Sequence, residues 1–300
     1  MQIDVLTWNV FHGRDFPPDP ALRSRRSWLL GTEERNATHL QVNRDLFDEF
    51  AQVLAAARWD VALLQEFPPR WSERMARACT AQPLVTLTSR NWLAPVRRWV
   101  ASRNPDLMGA WEGGANVILV RGPLRLSGET KEVVLRGPPE RRIVTFARLQ
   151  RAATGERSTD QPRRPFETAA AGFEPSLIIA NLHASGPSPL AAEDTRLAAE
   201  AAVGWAGDDP VVLGGDLNVS PSESGVFDEL ERRFGLLAPA GPRSIDHLLA
   251  RGLEITEPPR AWPARDREVP ADGRAIRLSD HPPVQARYRL PEPSRTERRR

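Results

Sequence analysis

The sequence predicts an α/β fold in which helices cover the outer faces of two packed β-sheets. Short apolar segments, such as 61–64, 177–180 and 211–213, alternate with longer segments of helical periodicity, and this alternation is typical of layered α/β proteins. Polar runs at strand ends extend from Asn9 to His281. Because a single site would need residues from both ends of the chain, the chain cannot be divided into two domains at an internal linker. We therefore expect residues 1–290 to form a single domain.

The elements follow from periodicity and turn residues. A strand at 2–8 opens the chain, and the proline- and arginine-rich segment 11–41 is expected to be a long loop leaving the site. Apolar residues at helical spacing predict a helix over 42–58, and a buried strand follows at 60–66. The other elements predicted before residue 150 are a helix at 69–78, a strand at 84–88 and a strand meander at 116–121, 124–135 and 142–149.

The second half repeats the alternation of strands and helices. The polar segment 151–174 is expected to be a mobile loop, and the charged end, 291–300, a solvated, disordered tail. Between them we predict strands at 177–183, 211–217, 245–250, 253–258 and 283–290, with helices at 190–206 and 222–234.

Composition narrows the class of protein. The formal net charge is only +2, far from that of a strong nucleic-acid binder, and a single cysteine, Cys79, provides no disulfide framework. No segment approaches the roughly 20 apolar residues that span a bilayer, and the start of the chain lacks the pattern of a signal peptide. We therefore expect a cytoplasmic, monomeric enzyme without a membrane span.

Six short polar runs stand at the ends of the apolar segments. Strands would deliver them to sheet edges, where loops hold functional groups on a rigid scaffold. They lie at 7–9, 64–66, 181–183, 214–218, 244–247 and 279–281.

The order of these runs resembles the endonuclease/exonuclease/phosphatase superfamily, which includes DNase I-like nucleases, inositol polyphosphate phosphatases and neutral sphingomyelinases. Gly-Asp-x-Asn at 215–218 and Ser-Asp-His at 279–281 are the most specific parts. The resemblance implies a four-layer α/β sandwich of two mainly antiparallel sheets flanked by helices. It also implies hydrolysis of a phosphoester with Mg²⁺ or Mn²⁺.

Glu66 is the strongest candidate metal ligand, because it ends a buried apolar strand. Magnesium prefers oxygen ligands and takes one or two protein carboxylates while keeping several waters. The resemblance adds Asn9, as support for the metal and the phosphate, and Asp280, as a residue near the metal.

Asp216 and Asn218 are two residues apart, so on an extended backbone both face the same side. The resemblance assigns Asp216 to orienting or deprotonating the attacking water and Asn218 to the phosphate. An Asx turn is the common alternative for such a sequence, although it does not account for the apolar run that precedes it.

His183 and His281 are the acid–base candidates, since histidine titrates nearest neutrality. The resemblance pairs Asp246 with His281. A protonated His281 would stabilise the transition state, whereas a neutral one would accept a proton, and the sequence leaves both open.

Three further residues occupy weaker positions. Asn116 and Arg142 match places where an amide and a guanidinium approach phosphate in the family that the chain resembles. His12 either reaches the edge of the site or caps its own loop.

The substrate stays open between two classes. Tryptophans and arginines concentrated in 91–111, and to a lesser extent in 14–41, suit a polyanion with stackable bases such as DNA or RNA. Taken alone, 91–111 is more simply explained as a surface helix whose tryptophans pack on the domain. This pattern favours a nuclease-type phosphodiesterase. The near-neutral charge suits a small-molecule or lipid phosphodiesterase or phosphatase, and a non-catalytic phosphate-binding scaffold is the remaining alternative.

Overall fold

The computed structural model describes residues 1–24, 32–88, 104–106, 113–137, 141–152, 176–186, 188–237 and 239–291. Most of the Trp/Arg-rich segment 91–111, nearly all of the polar segment 151–174, and the tail beyond residue 291 lie outside these ranges, so the predictions for them stay predictions. Among the described residues, no helix combines the length and apolarity needed to cross a bilayer.

Strands and helices alternate along the described chain. The strands are β1 (Gln2–Asn9), β2 (Glu34–Arg35), β3 (His39–Gln41), β4 (Val61–Phe67), β5 (Gln82–Leu87), β6 (Ala115–Val120), β7 (Leu124–Arg136), β8 (Arg142–Arg151), β9 (Leu177–His183), β10 (Val211–Asp216), β11 (Asp246–Arg251), β12 (Glu254–Ala261), β13 (Glu268–Ala271), β14 (Arg274–Arg277) and β15 (Val284–Arg289). The α-helices are α1 (Phe47–Ala56), α2 (Ser72–Ala78), α3 (Ser188–Ala206) and α4 (Val226–Phe234).

Two large sheets form the centre of the fold. The first has the strand order β12-β15-β1-β4-β6-β5 and the second β11-β10-β9-β8-β7. Only the β1/β4 and β9/β10 pairs are parallel within these two sheets as described. The prediction of mainly antiparallel sheets is therefore confirmed.

The buried apolar residues divide into three clusters that define four layers. Between the sheets, Ile3 and Leu63 of the first sheet belong to one cluster with Ile179 and Val212 of the second. On the outer face of the first sheet lie α1 and α2, through residues such as Phe50. The small residues of α3, together with α4, cover the second sheet. The predicted four-layer α/β sandwich is confirmed.

A third, small sheet has the order β13-β14-β3-β2, and the sequence did not predict it. Two of its strands lie within 11–41, which was expected to be a loop. Its strands are very short, and β3 pairs with β14 from the far end of the chain, so no local periodicity marks them. This sheet brings the segment after β1 beside the 279–281 loop, where Ser279 N–H donates to Arg14 O at 2.9 Å.

Three of the four α-helices described, α1, α2 and α4, begin later than the periodicity predicts. Val42 and Leu46, before α1, are buried in the same apolar cluster as the helix without being part of it. The N–H of Val42 instead donates to Asp15 Oδ2 at 3.1 Å. Asp45 Oδ1 accepts the N–H of Phe47 at 2.9 Å, which satisfies a backbone donor at the helix start. In the same way α4 begins at Val226 and not at residue 222.

Strand register brings the polar runs to one edge of the sandwich. In the first sheet Asn9 pairs with Gln65, and in the second Asp216 pairs with both His183 and Asp246. Four strands therefore end at the same edge of the sandwich, and β11 begins there. They are β1 and β4 of the first sheet and β9 and β10 of the second.

Candidate active site

The polar runs divide into a buried network and a more exposed site. Gln65 Nε2 donates to Thr7 Oγ1 at 3.1 Å and to Asn181 Oδ1 at 2.7 Å. Asn181 in turn donates from the second sheet to Leu64 O and Val117 O of the first. Asn9 and His183 lie two residues after Thr7 and Asn181, on the same faces of β1 and β9, so they continue from the network to the edge of the sheets, where the site lies. Thr7, Gln65 and Asn181 belong to the polar runs seen in the sequence, but no sequence pattern indicated that these three residues join the two sheets.

Asp216 lies at the centre of the site and is almost fully buried. Its Oδ2 accepts a hydrogen bond from Asn9 Nδ2 at 2.9 Å, and the same oxygen is 3.5 Å from His183 Nε2. Burial raises the pKa of Asp216 to about 7, and the charge of Asp246 adds to the rise. This carboxyl group therefore titrates near neutral pH.

Asn218 differs from the prediction of an extended Asp-x-Asn. The strand ends at Asp216, Asn218 has φ of +50°, and its N–H donates to Asp216 Oδ1 at 3.1 Å. This is an Asx turn, which mimics a backbone turn. The Asn218 amide donates to Ala184 O at 3.0 Å, so it ties the β9 loop to the β10 loop.

Asp246 and His281 form the predicted hydrogen bond between different elements. His281 Nδ1–H donates to Asp246 Oδ2 at 2.8 Å. Burial acts against protonation, but the hydrogen bond and charge of Asp246, with the charges of Asp216 and Asp280, raise the pKa of His281 to about 10. His281 is therefore an imidazolium at neutral pH, and its Nε2 lies 3.9 Å from Asp216 Oδ2.

The loop that carries His281 is fastened to β1. Ser279 Oγ donates to Asn9 O at 2.7 Å and accepts the N–H of His281 at 3.1 Å. Trp8 Nε1 donates to His281 O at 3.0 Å. These bonds fix the backbone on both sides of Asp280.

Glu66 stands on the opposite side of the site, at a break in the β4/β6 register. It has φ of +48° and is the most distorted part of β4. Its Oε2 is 3.2 Å from His12 Nε2, and its Oε1 is 3.8 Å from His183 Nε2. Burial opposes ionisation, but His12, His183 and the Asn9 amide lower the pKa of Glu66 overall. Glu66 is therefore a carboxylate at neutral pH.

His183 contrasts with His281 in its charge. Burial lowers the pKa of His183 to about 4, and the charge of Arg142 lowers it further, against the opposing effect of Glu66. The site thus holds one charged and one neutral imidazole at neutral pH, on either side of Asp216.

The remaining predicted residues take different positions. Burial raises the pKa of Asp280, and the charge of Glu66 adds to the rise. Arg142 is near enough to His183 to act on it electrostatically. Asn116 Nδ2 donates to Ile143 O at 3.0 Å and is buried between the sheets, so its amide nitrogen is committed to the scaffold.

Two groups of residues could hold a divalent cation. Asp216, Asp246 and His281 offer ligand atoms within 4.8 Å of one another, but Nδ1 of His281 is engaged with Asp246 and the ring is charged. Glu66 and Asp280 are carboxylates that repel each other and are partly exposed. Carboxylate oxygens are the ligands that Mg²⁺ and Mn²⁺ prefer, so the Glu66 side fits the metal better.

His247, beside Asp246 in the sequence, is a structural residue. It is fully buried, its Nδ1 accepts the N–H of Ala240 at 3.0 Å, and its Nε2–H points to Ser244 O at 2.7 Å. These bonds hold the loop before β11 and so fix where Asp246 begins its strand.

Comparison with known proteins decides the family. The profile of the Endonuclease/Exonuclease/phosphatase family matches residues 6–281. The chain belongs to this family. Membership of the Endonuclease/Exonuclease/phosphatase family confirms the resemblance seen in the sequence and points to phosphoester hydrolysis. No curated protein sequence matches the chain.

Solved structures of this family share the fold at low sequence identity. A Bacteroides thetaiotaomicron endonuclease/exonuclease/phosphatase family protein is 14% identical, with a TM-score of 0.59 over 97% of this chain and 99% of its own. A mannosyl-6-phosphatase from B. thetaiotaomicron is 15% identical, with a TM-score of 0.57 over 96% and 100%. TDP2 from C. elegans is 13% identical, with a TM-score of 0.54 over 96% and 75%.

Proposed function

We propose that this protein is a divalent-metal-dependent phosphoester hydrolase. The observation that carries the proposal is the position of Asp216, a buried carboxyl group between a neutral His183 and a charged His281. A phosphoester is anionic, so its hydrolysis needs neutralised oxygens, a positioned water and help for the leaving group.

Asp216 is the proposed base for the attacking water. Its pKa of about 7 is close to the operating pH, which is where a general base is most effective. The Asn9 amide and the Asn218 backbone N–H each bind one of its oxygens. These two bonds hold the plane of the carboxylate and direct its remaining lone pairs into the site.

His281 is the proposed cation for the transition state. Its charged ring presents Nε2–H next to Asp216. Asp246 fixes the orientation of the ring through the hydrogen bond to Nδ1. This supports the protonated alternative of the two that the sequence left open. Neutral His183 donates a second N–H to a phosphoryl oxygen without adding charge.

The carboxylates of Glu66 and Asp280, with Asn9 beside them, are the residues that would hold Mg²⁺ or Mn²⁺. The cation would neutralise phosphoryl oxygens and orient the substrate. The lowered pKa of Glu66 keeps this carboxylate ionised over the neutral range, as a metal ligand must be.

Hydrolysis of bis-p-nitrophenyl phosphate tests the proposal. Protein stripped of metal with EDTA should be inactive and should recover turnover with Mg²⁺ or Mn²⁺. Glu66→Gln should lower that turnover by about two orders of magnitude. Glu268→Gln is the matched control, because this carboxylate pairs with His39 and Arg277 in the small sheet. Full activity in EDTA, or in Glu66→Gln, would contradict the proposal.

Nucleic acid remains the proposed substrate class, with the protein acting as a nuclease-type phosphodiesterase. The Trp/Arg-rich segments of the sequence support this choice. The likeness in fold to a mannosyl-6-phosphatase adds sugar phosphates to the substrates that merit testing. A metal-dependent screen of single- and double-stranded DNA, RNA, sphingomyelin, and sugar and inositol phosphates separates these classes. A non-catalytic scaffold is excluded if Asp216→Asn abolishes a metal-stimulated turnover.

A further inference from the structure

The two oxygens of Glu66 face different histidines. Oε2 is 3.2 Å from His12 Nε2, whereas Oε1 is 3.8 Å from His183 Nε2 and lies on the side of Asp216. The side chains of His12 and Glu66 are only 15% and 22% exposed. The shorter contact therefore holds one oxygen at the back of the carboxylate and turns the other towards the site.

Both partners of this contact have strained backbones. Phe11, His12 and Glu66 have φ of +50°, +53° and +48°, a region that costs a non-glycine residue of order 1–3 kcal/mol. Such strain persists only where the surrounding structure over-determines it, and it is concentrated at functional sites. Here it is found on both sides of one short side-chain contact.

The turn that carries His12 is held in place from several directions. Phe11 N–H donates to Asn9 Oδ1 at 3.0 Å, and Gly13 N–H donates to Val10 O at 2.8 Å. Gly13 packs so closely on Trp71 that an added Cβ would lie 2.3 Å from its ring. The His12 ring is thus aimed at β4 by a turn that has little freedom to move.

We propose that His12 is a positioning residue that orients the metal-binding carboxylate of Glu66. Its Nε2–H holds Oε2, so that Oε1 is directed to the cation. The inference rests on the proposed function. Groups that hold a metal ligand from behind in this way typically contribute roughly 10- to 100-fold to metal affinity. A histidine that only capped its own loop would contribute to stability and not to metal affinity.

Titration of substrate-free protein with Mn²⁺ by calorimetry tests the role of His12. His12→Gln retains an amide N–H at about the reach of imidazole Nε2, whereas His12→Asn carries the same amide on a shorter side chain. We expect His12→Asn to weaken Mn²⁺ binding roughly 10- to 100-fold and His12→Gln to bind within a few-fold of wild type. His39→Asn is the matched control, because His39 contacts Glu268 at the same 3.2 Å in the small sheet, and its affinity should be unchanged.

Wild-type affinity in a His12→Asn protein with an unchanged unfolding midpoint would overturn the inference, as would equal losses in the Asn and Gln variants. If His12→Asn does not fold, His12→Phe takes its place, since Phe11 shows that the turn accepts an aromatic residue at positive φ. That variant must then show the same loss. A wild-type protein that binds no Mn²⁺ would refute the proposed function itself, and the inference with it.

Discussion

His281 and Asp246 are the residues whose geometry most closely defines a chemical role. With its Nδ1 held by Asp246 and its Nε2 beside Asp216, His281 has the position of the proposed transition-state cation. We expect His281→Ala to lower the rate of phosphodiester hydrolysis by roughly two to four orders of magnitude. Its unfolding midpoint in urea should fall, because the buried Asp246 loses its charged partner, so rates are compared under conditions in which both proteins are folded. Wild-type rates in His281→Ala would contradict the assignment.

The pH dependence of the rate tests the same pair separately. Against the effect of burial, Asp246 together with the charges of Asp216 and Asp280 raises the pKa of His281 to about 10, so an active imidazolium is lost only as the pH rises through about 10. In Asp246→Asn the hydrogen bond and charge that raise this pKa are weakened. We expect the alkaline limb of the kcat/KM profile to move to lower pH, with a smaller loss of rate than in His281→Ala.

Asp272→Asn, in the turn between β13 and β14, is the control for that experiment and should leave the profile unchanged. An alkaline limb that stays in place in Asp246→Asn would show that His281 does not act as the cation. The raised pKa of His281 also stabilises the folded protein. This contribution to the free energy of unfolding is fully present below pH 6.5 and is lost as the pH rises through about 10.

At the scale of the element, the end of β10 depends on a glycine. Gly215 has φ of +143°, and an added Cβ would lie 1.8 Å from Leu182 O on the paired strand β9. The clash is with the backbone of Leu182 and not with a flexible side chain, so β9 and β10 would have to separate beside Asp216. We expect Gly215→Ala to cost on the order of 3 kcal/mol or more in unfolding free energy.

Urea denaturation of Gly215→Ala measures that cost. Gly204→Ala is the control, because Gly204 lies within α3 with no atom within 4 Å of an added Cβ. It should stabilise the protein by about 1 kcal/mol through helix propensity alone. A Gly215→Ala protein as stable as wild type would show that the β9/β10 contact is not as tight as described.

Most of the large elements were predictable because they bury one face with a clear period. The strands 2–8, 60–66 and 177–183 were predicted within a residue or two of β1, β4 and β9. Residues 268–277 were not predicted as strands, because four-residue strands are too short for a periodic pattern. The Asp272-Gly273 turn that joins β13 to β14 is a typical hairpin signal that was missed in the sequence. Asn218 was predicted on an extended backbone, since the sequence does not show that Asp216 closes an Asx turn.

The site was predictable in its residue types and less so in its geometry. Asp246 and His281 were expected to pair, and they do. The contact of His12 with Glu66 depends on two left-handed backbone positions, and no local pattern marks such positions in residues other than glycine. The amide of Asn116, expected near phosphate, is instead bonded to the backbone of Ile143.

At the scale of the whole molecule, the packing of two sheets is what assembles the site. The first sheet supplies Asn9 and Glu66, and the second supplies His183, Asp216 and Asp246. The loop before β15 closes the site with Asp280 and His281. We propose that the two sides of this site have different roles, with the cation on the Glu66 side and the proton chemistry on the Asp246–His281 side.

Anomalous diffraction from crystals soaked in Mn²⁺ tests that claim most directly. We expect one strong peak beside the Glu66 carboxylate, on the Asp280 and Asn9 side of Asp216, with the Asp246–His281 hydrogen bond intact. A Mn²⁺ peak coordinated by Asp246 and His281, or the absence of any peak next to Glu66 in crystals of active protein, would contradict it.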